Sequence, residues 1–70
     1  MTNHEFIKSN IGNSVYINGD GDLGMDYELR CLISNKTELK IVKLTKSGMA
    51  YLVDNDGNYY TVPPKNVREL

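Results

Sequence analysis

The sequence predicts a small, mainly β domain in which five or six short strands form a closed barrel behind a short N-terminal helix. Three observations lead to this prediction. Apolar and polar residues alternate in short runs, as in strands with one buried face. Turn dipeptides such as Ser47-Gly48 and Asp56-Gly57 separate these runs. The chain has 70 residues, which makes one domain over 1–70 with a small core, and closure of a barrel removes sheet edges that so small a domain cannot cover.

Composition and charge exclude several classes of protein. Hydrophobic residues make up 40% of the chain and the formal net charge is −1, so neither disorder nor a surface that is basic throughout is expected. No long apolar run is present, which predicts a cytoplasmic protein with no membrane partner. A single cysteine, Cys31, and a single histidine, His4, exclude an internal disulfide and the usual zinc site.

The N-terminal residues predict a short helical lid over 1–12. Thr2 and Glu5 have the spacing of a capping box, Phe6 and Ile7 supply an apolar edge, and Gly12 ends the helix. From Ser14 the period changes to two, and Val15 and Ile17 predict a first strand with Tyr16 on its other face. Residues 18–26 hold three Gly and three Asp, a composition typical of an exposed loop.

Two further segments are expected to be strands. From Tyr27 to Ser34, Tyr27, Leu29, Cys31 and Ile33 alternate with a second set, Glu28, Arg30, Leu32 and Ser34, which predicts a half-buried strand and makes Cys31 a small core residue. In 39–45 the apolar residues change parity between Ile41 and Val42, which a bulge, a sharp bend or a strand buried on both faces would explain. A helix is the alternative for 39–45, but Ile, Val and Thr are poor helix formers.

The last third of the chain predicts a hairpin and a terminal strand. Residues 49–53 and 59–62 form the hairpin around the Asp56-Gly57 turn. Pro63 and Pro64 cannot continue a central strand, so a single helical turn near 63–66 is expected before a last strand over 67–70.

Residues 38–70 are similar to the second half of an SH3-type barrel, and the run YTVPPKNVREL resembles that family's closing strand, Pro-led turn and final strand. The resemblance implies that Val62 and Val67 are core residues on either side of the turn and that Pro63 belongs to the family's peptide groove. The Trp that walls that groove is absent, and Lys65 or Asn66 replaces the aromatic residue of the turn. The resemblance therefore concerns the fold rather than the binding of proline-rich peptides.

The run GDGDLG, residues 19–24, matches a dinucleotide-binding fingerprint but lacks its context. That fingerprint requires a helix after the glycines and an acidic residue about twenty positions further on. Here a strand is expected to follow, and Asp20 and Asp22 would stand where the phosphates bind. The sequence thus predicts no nucleotide cofactor.

Two loops have the first three oxygen ligands of a calcium loop at the right spacing. They begin at Asn18 and at Asp54, but Leu23 and Tyr59 occupy the sixth position, where the EF-hand requires Gly. We interpret both as solvated turns and expect no metal site. Weak binding of a divalent cation remains an open alternative from the sequence.

Three functions from different classes are consistent with the sequence, and all three are non-enzymatic because no nucleophile has a base beside it. The first is a protein-binding module that uses the acidic loop of 18–28 and exposed tyrosines, with the candidate residues Tyr16, Asp20, Asp22, Asp26 and Tyr59. The second is nucleic-acid binding through a lysine stripe, Lys36, Lys40, Lys43 and Lys46, with Tyr51, Tyr59 or Tyr60 for stacking. The third is a self-associating structural subunit. The first is preferred, with the protein as a monomer or weak homo-oligomer.

Overall fold

The computed structural model describes residues 2–19 and 27–70, which form a mainly β domain. Its elements in chain order are α1 (Asn3–Ser9), β1 (Ser14–Ile17), α2 (Tyr27–Asn35), β2 (Leu39–Leu44), β3 (Ala50–Val53), β4 (Tyr59–Val62), a 3₁₀ helix (Pro64–Asn66) and β5 (Val67–Glu69). The predicted fold class is confirmed, with five strands and a single helical turn after Pro63. Of the described helices, α1 has seven residues and α2 has nine, too few to cross a bilayer.

The five strands form one antiparallel sheet in the order β4-β3-β2-β1-β5. Strands β1 to β4 are neighbours in chain order, whereas β5 returns to pair with β1, where Tyr16 lies opposite Arg68. The 3₁₀ helix connects β4 directly to β5, and these two strands are the edges of the described sheet. Closure of this sheet into a barrel stays a prediction.

The N-terminal helix is capped as predicted and belongs to the core. The Thr2 hydroxyl accepts a hydrogen bond from the Glu5 N–H at 3.1 Å and donates one to the Glu5 carboxylate at 3.1 Å. The helix ends at Ser9 with Asn10 as its C-cap, earlier than the predicted end at Gly12, and Gly12 has a φ of 87°, a left-handed conformation that glycine adopts without penalty. The side chain of Ile7 is fully buried, and α1 contacts β2 and the 3₁₀ helix.

The prediction of a strand over 27–34 is wrong, because Tyr27–Asn35 is an α-helix. Leu29, Leu32 and Ile33 have the i, i+3, i+4 spacing of one helix face, and they pack on the core, with Leu32 the most buried. Cys31, which the alternation placed in the core, is only half-buried.

The change of parity in 39–45 is a β-bulge in β2. Ile41 lies opposite Leu52 and Lys43 lies opposite Tyr51, so Val42 is an extra residue with no partner on β3. Of the explanations that the sequence left open, the bulge is confirmed, and the helix is excluded.

The core lies between the inner face of the sheet and the two helices. Its ten buried hydrophobic side chains among the described residues are Ile7, Val15, Ile17, Leu32, Leu39, Ile41, Ala50, Leu52, Val62 and Val67. Val62 and Val67 flank the 3₁₀ helix and are both buried, as expected. Alternation along β1, β3 and β4 sends the remaining side chains to the outer face, where Tyr16, Tyr51 and Tyr59 lie.

Candidate functional site

The outer face of β2, β3 and β4 carries a row of aromatic and basic side chains. The rings of Tyr51 and Tyr59 are stacked, with their centroids 5.2 Å apart and their planes at 14°. The ammonium of Lys43 lies 5.5 Å from the centroid of the Tyr51 ring, which is within range of a cation–π interaction. Because β3 lies between β2 and β4, Tyr51 has Lys43 on one side and Tyr59 on the other.

Strand register builds this surface from two adjacent rows. One row runs Lys40, Val53, Tyr59 across the three strands, and the next runs Lys43, Tyr51, Thr61. The stacked tyrosines are therefore diagonal neighbours, a separation that aromatic side chains bridge. We call Lys40, Lys43, Tyr51 and Tyr59 the tyrosine–lysine platform.

The bulge at Val42 is the reason why both lysines of the platform face outward. Lys40 and Lys43 are three residues apart, and in a regular strand residues at an odd separation point to opposite faces. Because Val42 is an extra residue, the Lys43 side chain points outward like that of Lys40, while Ile41 and Leu44 face the core. None of the six residues in the two rows is acidic.

Tyr59 is the exposed end of the platform. Its side chain is 57% exposed, and it lies on β4, an edge of the sheet. Tyr60, its neighbour, is half-buried against the core and donates a hydrogen bond through its hydroxyl to Asp54 at 3.3 Å. Tyr59 and Tyr60 therefore follow the expected division into one exposed and one partly buried ring.

The predicted lysine stripe is divided by the fold. Lys40 and Lys43 lie on the platform, whereas Lys36 follows α2 and its ammonium lies 6.0 Å from the centroid of the Tyr16 ring on β1. Lys46 lies in the turn between β2 and β3. Of the residues predicted to bind a protein, Tyr16 and Tyr59 are thus on different strands of the outer face, and Asp20, Asp22 and Asp26 lie outside the described residues.

A groove beside the platform contains basic residues that sequence patterns did not reveal. It lies between α1 and the turn from β2 to β3, and its lining includes His4 and Lys8 from the helix with Lys43 and Lys46 from the hairpin. We call this the basic groove. Lys8 and Lys46 are far apart in the chain, and no local motif links a helix residue to a hairpin turn. Only the side-by-side packing of α1 and β2 brings them together.

The loop that begins at Asp54 uses its carboxylate for structure. The carboxylate of Asp54 accepts hydrogen bonds from the backbone N–H groups of Asp56 and Asn58, both at 2.9 Å, and from the side chains of Asn58 and Tyr60. The hydrogen bond from the Asn58 backbone is the main reason why the pKa of Asp54 is lowered. Within the described residues, no group of three or more His, Cys, Asp or Glu is arranged to hold a metal ion.

The second helix carries a small polar depression lined by Tyr27, Arg30, Cys31 and Ser34. A hydrogen bond with Cys31 raises the pKa of the exposed Tyr27 hydroxyl. The only histidine, His4, lies on α1 instead, so this cysteine has no imidazole base at hand.

Of the GDGDLG run, only Gly19 lies in the described part of the chain. A Cβ added at Gly19 would stand 3.0 Å from the Ile33 side chain, so this glycine is pressed against α2.

Comparison with protein-family models, with characterised proteins and with solved structures finds no match to this chain.

Proposed function

We propose that this protein is a small, non-enzymatic binding module whose ligand is single-stranded nucleic acid, bound on the tyrosine–lysine platform. The observation that carries the proposal is the row of Lys43, Tyr51 and Tyr59, in which a cation and two stacked rings share one exposed sheet face. Exposed aromatic rings beside cations are the common means by which small β domains bind unpaired bases and their phosphates. The sequence alone favoured a different ligand, a protein bound by the acidic loop of 18–28. The experiment described below distinguishes these two ligands.

The geometry supports different roles for the tyrosines and for Lys40 in binding a nucleotide. A base stacks on the exposed Tyr59 ring, which is held in place by Tyr51 behind it. Lys40 lies in the same cross-strand row as Tyr59, two strand spacings or about 10 Å away, and its proposed role is to bind the backbone of the stacked nucleotide rather than the base. The absence of carboxylates from both rows means that no charge on the platform repels a phosphate.

The fold is proposed to be an SH3-type barrel. Two features support it besides the sequence resemblance: β5 returns to pair with β1, and a 3₁₀ helix separates β4 from β5. In this architecture the outer sheet face is a surface distinct from the groove near Pro63, so nucleic-acid binding does not depend on the missing groove Trp.

The test measures the affinity of a fluorescently labelled single-stranded oligothymidylate by anisotropy at physiological ionic strength. Tyr59→Ala removes the stacking ring and is expected to weaken binding by about 1–3 kcal/mol. The combined variant Lys40→Glu with Lys43→Glu is expected to abolish binding. Tyr27→Ala and Arg30→Ala, which alter an exposed ring and a cation on α2 instead, serve as matched controls and are expected to bind like the parent protein.

Two results would overturn the proposal. One is an oligonucleotide affinity that Tyr59→Ala and the lysine variant leave unchanged. The other is no measurable oligonucleotide binding by the parent protein, and the acidic-loop hypothesis then predicts a protein partner whose association Asp20→Lys with Asp22→Lys slows and the lysine variant does not. The second result would return the function to the acidic loop.

A further inference from the structure

The basic groove is open to solvent beside the platform and shares Lys43 with it. Its walls are α1 on one side and the β2–β3 turn on the other, and its lining includes the three lysines Lys8, Lys43 and Lys46. Lys43 therefore belongs to both surfaces: its ammonium lies over the Tyr51 ring, and the residue is among those that line the groove.

Hydrogen bonds within the turn fix the side of the groove that carries Lys46. The backbone of Thr45 is bonded to Met49 at 2.8 Å and to Gly48 at 3.0 Å, and the Thr45 hydroxyl accepts from the Met49 N–H at 3.0 Å. Gly48 has a φ of 85°, and a Cβ there would stand 2.9 Å from His4 Nε2. A glycine at this position lets the turn approach α1 closely.

The charged residues described in the lining of the groove are all basic. Its lining includes Lys8, Lys43 and Lys46 together with His4, and none of the described residues that line it is Asp or Glu. Glu5, the only carboxylate of α1, is bonded to Thr2 at the start of the helix. Three lysines with no carboxylate among the described lining residues create a local positive potential, which favours a ligand with regularly spaced negative charges.

We infer that the basic groove binds the backbone phosphates of the same strand whose bases stack on the platform. This inference rests on the proposed function and extends it: α1 is then one wall of the nucleic-acid site, and Lys43 joins the stacking surface to the phosphate-binding one. Lys8 and Lys46 contact phosphates from opposite sides of the groove and have no part in stacking.

The salt dependence of the affinity distinguishes phosphate binding in the basic groove from base stacking on the platform. Each phosphate contact on a single strand contributes about −0.7 to the slope of log affinity against log salt concentration. Lys8→Ala and Lys46→Ala are each expected to reduce the steepness of that slope by about this amount and to weaken binding most at low salt. Tyr59→Ala is expected to weaken binding at every salt concentration and to leave the slope unchanged. Arg30→Ala is the control for loss of one exposed positive charge elsewhere.

The same titrations distinguish failure of this inference from failure of the proposed function. If Tyr59→Ala weakens binding while Lys8→Ala and Lys46→Ala match Arg30→Ala in affinity and slope, the groove does not hold phosphates and the platform stands alone. If the parent protein binds no oligonucleotide, both proposals fall. Because Lys8 and Lys46 are exposed, their variants are expected to fold, and a thermal melt of each verifies this.

Discussion

Single residues in the turns of this protein are held by more hydrogen bonds than their exposed positions suggest. Asp54 closes the loop between β3 and β4 by accepting four hydrogen bonds, two from backbone N–H groups and two from side chains. The sequence predicted the turn from Asp56-Gly57, and the left-handed φ of 87° at Gly57 agrees with it. The spacing of Asp54, Asp56 and Asn58 also fits a calcium loop, and in the sequence Tyr59 at the sixth position was the argument against a metal site.

The lowered pKa of Asp54 predicts a pH dependence of stability. A carboxyl whose pKa is lower in the folded than in the unfolded protein stabilises the fold above its unfolded pKa, about 3.9 for Asp. This contribution is lost as the pH falls through the folded pKa. Urea unfolding at neutral pH and near pH 3 is expected to show a smaller loss of stability in Asp54→Asn than in the parent protein.

Asp56→Asn is the control for the Asp54 experiment, because Asp56 is exposed in the same turn and contributes its backbone N–H. It is expected to keep the pH dependence of the parent protein. Equal pH dependence in the parent and in Asp54→Asn would show that the hydrogen bonds around this carboxylate do not favour its charged form.

At the scale of elements, the structure differs from the sequence expectation mainly at α2. The same residues carry two patterns at once: Leu29, Cys31 and Ile33 alternate as in a strand, while Leu29, Leu32 and Ile33 match one helix face. The strand was predicted from the alternation alone, although Glu28, Arg30 and Leu32 are residue types that favour a helix. Burial of Leu32 against the core gives the helix its stability, and that contact is invisible in a local pattern.

Substitution at two adjacent positions of α2 distinguishes the helix from the strand. Leu32→Ala removes a side chain that is 8% exposed and is expected to lower the free energy of unfolding by about 2 kcal/mol or more. Cys31→Ala is the matched control at a half-buried position, and we expect it to have a much smaller effect in the same chemical denaturation experiment. A strand with Cys31 inside would reverse this order.

The hairpins and the bulge, by contrast, were predictable because their causes are local. Ser47-Gly48 and Asp56-Gly57 mark turns through their preference for positive φ, and both glycines have it. The change of parity after Ile41 predicted an irregular strand, and the register shift is found there. For the site, Lys40, Lys43 and Tyr59 could be named from the sequence, whereas the contribution of Lys8 depends on how α1 packs and could not be.

At the scale of the whole molecule, a 70-residue chain has so small a core that the loss of any one buried side chain matters for stability. The sequence predicted α1 as a lid on the core with Ile7 in its apolar edge, and in the structure the helix contributes the fully buried Ile7 and contacts both β2 and the 3₁₀ helix. Since β2 lies in the middle of the sheet and the 3₁₀ helix precedes its last strand, α1 connects parts of the fold that are distant in sequence.

Ile7→Ala therefore tests whether the helix is part of the cooperative unit. We expect the free energy of unfolding to fall by about 3 kcal/mol, since a buried Ile leaves a cavity when truncated. Ile11→Ala removes the same atoms from a side chain that is 52% exposed and is expected to cost little. If the two substitutions lower the free energy of unfolding by similar, small amounts in chemical denaturation, α1 is not part of the cooperative unit.

The stacked tyrosines also have a spectroscopic consequence. The sequence contains no Trp and five Tyr, so near-ultraviolet absorption and emission come from tyrosine side chains, and two of these rings lie 5.2 Å apart and nearly parallel. Electronic transitions on chromophores at this distance couple, which gives the pair a circular dichroism signal that Tyr59→Ala would remove and Tyr27→Ala would leave. The pair is thus a built-in optical probe, and its signal would change when an aromatic ligand stacks on Tyr59, without any attached label.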